Sequence, residues 1–291
     1  RAFFALLAGQ PPAAPGELPV FVHNHHPFIV EDTIVCELQP PEPNANPGVF
    51  WQPELRDPEG RVVPVQLEKE SCNIQVDQRK RLVFRATLPP SITSRFSCRL
   101  VEVPRADGPP PRPRDATVPP HGISGEPLVH RSDVAEVEID TGTGLLRRYS
   151  VDGVDYVSAP AFRPLVMRDS ADAWGAKVRS FRDVADGFRL MSPNEAAAWA
   201  GIYAPALAPV RVVEHGSVRT VVEALFGLGR SAICLRYGLP AHGSEIKPNS
   251  ADVHTWAAIR PPAPWSSTTS NSRDSSMLQA LCEICSVPKA R

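Results

Sequence analysis

The sequence predicts an all-β protein, with an antiparallel β-sandwich followed by a larger β region. Three observations lead there. Short runs alternate apolar and polar residues with the period of two that a half-buried strand requires, as in residues 33–38 and 81–88. Turn signals separate such runs: Asp57-Pro58-Glu59-Gly60, Thr141-Gly142-Thr143-Gly144 and Asp152-Gly153. The chain also holds 33 prolines in 291 residues, roughly twice the usual 5%. Proline lacks a backbone donor and breaks helix interiors, so long helices are excluded over most of the chain.

Residues 1–17 open with Arg-Ala-Phe-Phe-Ala-Leu-Leu-Ala-Gly. This run is apolar but short and shows no clear cleavage site, so it reads as the end of a preceding helical region and not as a signal peptide. The first β-sandwich is expected over 18–103. Residues 20–30, VFVHNHHPFIV, carry His23, His25 and His26. A strand through them puts His23 and His25 on one face and His26 on the other. Two imidazoles can share a zinc ion, but a zinc site needs three or four ligands, and no Cys, Asp or Glu on that strand supplies the rest. The expected role is a polar strand end before a proline turn, and no metal is assigned to this chain. In 33–38, Ile34, Cys36 and Leu38 share a face. In 81–88, Leu82, Phe84, Ala86 and Leu88 point inward, and in 96–103 Phe96, Cys98 and Leu100 fall together. Between them, residues 55–66 read as a hairpin around Pro-Glu-Gly.

Residues 104–127 hold eight prolines in 24 positions and almost no large apolar side chain, so they form an exposed, partly stiff linker. The second β domain is expected over 128–265. Residues 134–157 divide into two or three strands at Thr-Gly-Thr-Gly and Asp-Gly, and Asp-Gly between β runs is a strong hairpin signal. Residues 210–239 form a long meander with turns at His215-Gly216 and Gly227-Leu228-Gly229. One stretch leans helical, where Pro193 opens a run containing Glu195 and four alanines. After Trp265 the β pattern is lost, and 266–291 reads as an irregular, Ser-rich tail.

The net charge of −1 gives no field to gather nucleic acid or an anionic membrane. No run of 18 apolar residues occurs, so no helical span is expected. The six cysteines, 36, 72, 98, 234, 282 and 285, lack a framework spacing. They read as mostly reduced, buried thiols of an intracellular, cytoplasmic protein, with Cys282-x-x-Cys285 a weak zinc or redox signal. No G-x-S-x-G, Gly-rich phosphate loop or H-E-x-x-H is present.

One acidic–aromatic cluster stands out. Residues 168–175, RDSADAWG, place Asp169, Asp172 and Trp174 within six positions. Carboxylates that accept hydroxyl hydrogen bonds beside an indole that stacks on a sugar ring are what a carbohydrate site uses. A capped loop with a half-buried Trp uses the same residues. Glycoside hydrolysis needs two carboxylates at a defined separation, which this spacing does not set.

In order and spacing, four stretches resemble the β-rich C-terminal portion of glycoside hydrolase family 38, the zinc-dependent retaining α-mannosidases. They are VFVHNHHPFIVEDTIVCEL, the D-x-x-G-x-x-V-P-x-Q pattern from Asp57 to Gln66 followed by RLVFRATLPP, VEIDTGTGLLRRYSVDGVDY with RDSADAWG, and VVEHGSVRTVVEALF with its Gly216-x-Val218-Arg219 step. The likeness covers roughly 18–262. His25 departs from it by standing where the family has its first proline.

The resemblance implies that 128–265 is an incomplete β supersandwich of the carbohydrate-binding, mutarotase-like kind. It also implies that the zinc ligands and the nucleophilic Asp belong to an N-terminal catalytic domain outside this chain. The expected function is to support that domain and part of the sugar cleft in an enzyme hydrolysing terminal α-mannosides. Asp169, Asp172 and Trp174 are then the carbohydrate contacts, and the isolated chain has no catalytic residue or activity. The partners would be an α-mannoside or related carbohydrate and the catalytic domain, with no nucleic acid or membrane. The alternative is a non-catalytic carbohydrate-binding or structural β-sandwich protein.

Overall fold

The computed structural model describes residues 9–70, 77–104, 126–168, 182–202, 206–248 and 280–282. Over these residues the fold is all-β, antiparallel sheets with one short helix. The chain divides into two compact units, 1–118 with 214–219, and 119–213 with 220–291.

The first unit contains β1 (Glu17–His23), β2 (Val30–Leu38), β3 (Val49–Arg56), β4 (Val62–Val63), β5 (Val65–Glu68), β6 (Lys80–Leu88) and β7 (Thr93–Pro104). They form two sheets, β1-β7-β3-β4 and β2-β6-β5. The alternation read from the sequence supplies the core. Leu82, Phe84, Ala86 and Leu88 of β6 pack with Val20, Leu55, Phe96 and Cys98, and the rings of Phe84 and Phe96 lie 5.1 Å apart. Ile34, Cys36 and Leu38 face the same core from β2, an outer strand of its sheet, and stay half-buried. Asp57 folds the turn after β3. Its Oδ1 accepts the backbone N–H groups of Glu59 and Arg61 at 3.0 and 2.8 Å, while Gly60 takes φ +82°. Pro64, with no N–H to add to a ladder, falls between β4 and β5.

The second unit contains β8 (Leu128–Arg131), β9 (Ala135–Ile139), β10 (Leu146–Val151), β11 (Val154–Asp155), β12 (Pro164–Met167), β13 (Val184–Gly187), β14 (Arg189–Leu190), the helix α1 (Pro193–Ala200), β15 (Val210–His215) as far as Val213, β16 (Arg219–Leu228) from Thr220 on, β17 (Ser231–Pro240), β18 (Lys247–Pro248) and β19 (Ala280–Cys282). Its sheets are β11-β10-β9-β8, β13-β12-β19, and β14-β16-β17-β18 with β15 on β16. Val137, Ile139 and Leu146 from the first of these meet Val222, Ala224, Phe226, Leu235, Tyr237 and Leu239 from the last. The outer face of β9 and β10 carries the ion pairs of Arg148 with Glu136 and Glu138.

Two turns show why glycine stands where it does. Asp152 and Gly153 take φ +49° and +79°, the double positive φ of a two-residue hairpin. Gly144 takes φ +73°, and a Cβ there would sit 2.8 Å from Leu190 Cδ1 and 2.9 Å from Phe226 Cζ. Its carbonyl accepts the buried Tyr237 hydroxyl at 2.8 Å.

The other face of β16 and β17 packs Leu225 and Ala232 against Met191 and Ala196 beside α1. That helix begins where Pro193 predicts. Ser192 caps it, Glu195 closes the capping box, and Gly201 at φ +65° ends it. Three features go beyond the sequence reading. Strands β12, β13 and β14 are two to four residues long and carry too little alternation to register. Residues 280–282, in the stretch read as an irregular tail, pair with β12. Residues 214–219 belong to the first unit, which a linear order of domains does not anticipate. Among the described residues, no helix is long and apolar enough to cross a membrane.

Candidate functional site

Asp169, Asp172 and Trp174 lie outside the described residues. Their segment belongs to the connection between β12 and β13, and its flanks are described. Arg168 donates its backbone N–H to the Asp183 carbonyl at 2.7 Å, and its Nε lies 2.9 Å from Asp183 Oδ2. Cys285 is also outside, and only the backbone of Cys282 is described, within β19.

The histidine run departs from the strand expected for it. β1 ends at His23, whose Nδ1 is 2.9 Å from Thr93 Oγ1. His25 and His26 follow in a loop, their rings 4.0 Å apart, so His25 does not sit beside His23 on a strand. The cause is Asn24, only 3% exposed. Its Nδ2 donates to the carbonyls of Phe28, Leu88 and Pro89, and its Oδ1 accepts the His26 N–H at 3.0 Å. A buried amide bonded to two nearby backbone groups and to two carbonyls where β6 ends turns the chain off the sheet. Among the described residues no group of three or more His, Cys, Asp or Glu is placed to hold a metal ion.

The most developed polar centre of the first unit lies on β5. Gln66 and Glu68 alternate with Val65 and Leu67, which pack on the hydrophobic core, so both polar side chains point to the opposite face. That face is not solvated. Gln66 and Glu68 are 3% and 6% exposed, covered by residues 214–219 of the same unit. Gln66 Oε1 accepts the backbone N–H groups of Val218 and Arg219 at 3.0 and 2.9 Å. Glu68 receives the Arg219 guanidinium in a two-pronged pair, Nε to Oε1 at 2.7 Å and Nη2 to Oε2 at 2.6 Å. Gln66 Nε2 donates to Glu68 Oε1 at 3.3 Å, and the Lys69 N–H donates to Glu214 Oε1 at 3.0 Å. Gly216 leaves the space Gln66 occupies, because a Cβ there would lie 2.5 Å from Gln66 Cδ and Oε1.

Chemically this is a lock. A carboxylate taken out of water costs several kcal/mol unless its partner has good geometry and its remaining lone pairs are met. Here a fixed guanidinium fork meets both oxygens. Gln66, Glu68 and Arg219 are buried and committed to one another, so none of the three is presented to a substrate.

The second unit has a looser counterpart. Glu223 of β16 is 3% exposed and lies between Arg211 of β15, whose Nη2 donates to Oε1, and Arg236 of β17, whose Nε donates to Oε2 at 2.9 Å. The thiols of Cys36, Cys98 and Cys234 offer little nucleophilic character. Burial raises Cys36 to about 11 and Cys98 and Cys234 to about 12, and the thiolate is the reactive form.

Gln66, Gly216 and Arg219 stand inside sequence motifs that assign them no task, and Glu68 lies in none of those motifs. No local signal separates a covered polar face from a wet one. No family model matches the chain, and no curated protein matches it.

Proposed function

We propose that this chain is a non-catalytic β-rich portion of an enzyme resembling the retaining, zinc-dependent α-mannosidases. In that enzyme it buttresses the catalytic domain and forms part of the sugar cleft. One observation carries the reading: two of the motifs on which the resemblance rests are physical partners. In the D-x-x-G-x-x-V-P-x-Q stretch, Asp57 and Gly60 fold the turn and Gln66 accepts two hydrogen bonds. In the G-x-V-R stretch, Gly216 makes the room, Val218 and Arg219 donate those bonds, and Arg219 clamps Glu68. Positions that match a family pattern and also build one buried lock suit a scaffold that must hold its shape against a larger body.

The zinc of such an enzyme holds the sugar hydroxyls. The described residues do not fit it, since no three His, Cys, Asp or Glu side chains converge on a metal site among them. On this reading the metal and the nucleophilic Asp belong to the catalytic domain, and Asp169, Asp172 and Trp174 make the contribution of this chain to the cleft wall. The same reading places the protein in the cytoplasm, supported by Cys36, Cys98 and Cys234 as free thiols.

The deciding experiment reads the coding DNA on both sides of this segment and assays the chain alone with p-nitrophenyl α-mannoside. An upstream open frame encoding an α/β domain with paired Asp and His residues, together with no hydrolysis by the isolated chain, is expected. A start codon directly before Arg1, or turnover by the chain alone, overturns the proposal.

A further inference from the structure

We draw no further inference here: the strongest candidate, the exposed apolar patch of Phe28, Ile29 and Ile92 at one end of the first sandwich beside the stacked rings of His26 and Phe28, is an unpartnered face and nothing in the structure shows what covers it.

Discussion

Each unit buries a glutamate on a β-sheet, and the two do so by opposite means. Glu68 is hydrogen-bonded by one arginine, Arg219, that is itself withdrawn from water, with side-chain exposures of 3% and 8%, while a second, Arg81, stands farther off at 3.8 Å. Glu223 is as deeply buried at 4%, but Arg211 and Arg236 remain 25% and 38% exposed. The first arrangement puts most of the compensation on one guanidinium. The second divides it between two cations that keep part of their hydration. Burial of a charge is therefore not one energetic situation. What separates the two is what remains when a partner is removed.

The largest effect is expected at Arg219. Arg219→Ala leaves the Glu68 carboxylate covered, with Gln66 and the more distant Arg81 guanidinium at 3.8 Å as its remaining support. Breaking a buried pair from one side typically costs about 3–5 kcal/mol. Denaturant unfolding of the whole chain at neutral pH measures it. Replacing both members, Glu68→Met with Arg219→Met, is expected to recover most of the loss, because an apolar pair leaves no stranded charge. A loss below about 1 kcal/mol for Arg219→Ala, the range of exposed pairs, would show that the two carboxylates are not differently held.

Gly216→Ala tests the same lock sterically. The new methyl must displace the Gln66 side chain, and that side chain is fixed by two backbone donors. Overpacking of this kind costs about 1–3 kcal/mol. Gln66→Ala loses the hydrogen bonds but frees the space. The double variant should therefore be less destabilised than the sum of the singles, a coupling that a thermodynamic cycle detects. Strict additivity would place the two residues out of contact.

The lock and the turns differ in how they were written in the sequence. The Asp152-Gly153 hairpin and the Pro193 helix start were legible because their causes are local: positive φ at two adjacent residues, and a fixed proline φ behind a Ser192 cap. The inward faces of β2 and β6 were legible because alternation sorts Ile34, Cys36, Leu82 and Phe84 by itself. Glu68 was not legible. By alternation it belongs to a wet face, and the arginine that buries it stands 151 residues further on. His25 failed for a related reason, since the buried Asn24 side chain, not strand propensity, decides where β1 stops. Asp169, Asp172 and Trp174 remain a reading of residue types, because their segment lies outside the described residues.

At Glu223 a smaller response is expected. Arg211→Ala leaves Arg236 in place, so the loss should stay within about 1 kcal/mol, the scale of a partly solvated pair. Removing both arginines should cost clearly more than the sum of the two singles, since only then is Glu223 stranded. If Arg211→Ala alone matched Arg219→Ala in unfolding measurements, the division of labour between the two cations would be wrong.

Glu195 at the start of α1 sets the wet limit of the comparison. It too meets an arginine fork, Arg189 Nη1 to Oε2 at 2.8 Å and Nη2 to Oε1 at 2.5 Å, but the side chains are 45% and 65% exposed. The Arg189 hydrogen bonds first, and then the backbone N–H and hydroxyl of Ser192, pull its carboxyl from the ordinary 4.5 to about 2. The folded value lies below the unfolded one, so any stabilisation is complete above pH 4.5 and is lost as the pH falls through about 2. An NMR titration should find the Glu195 midpoint near 2, and Arg189→Ala should move it up toward 4.5. The melting temperature at pH 7 should hardly change, because solvent screens a pair this open. The titration thus separates a strong local shift of a carboxyl group from a large effect on the fold. A midpoint of 4.5 in the unmodified chain would show that the Arg189 fork does not form in solution.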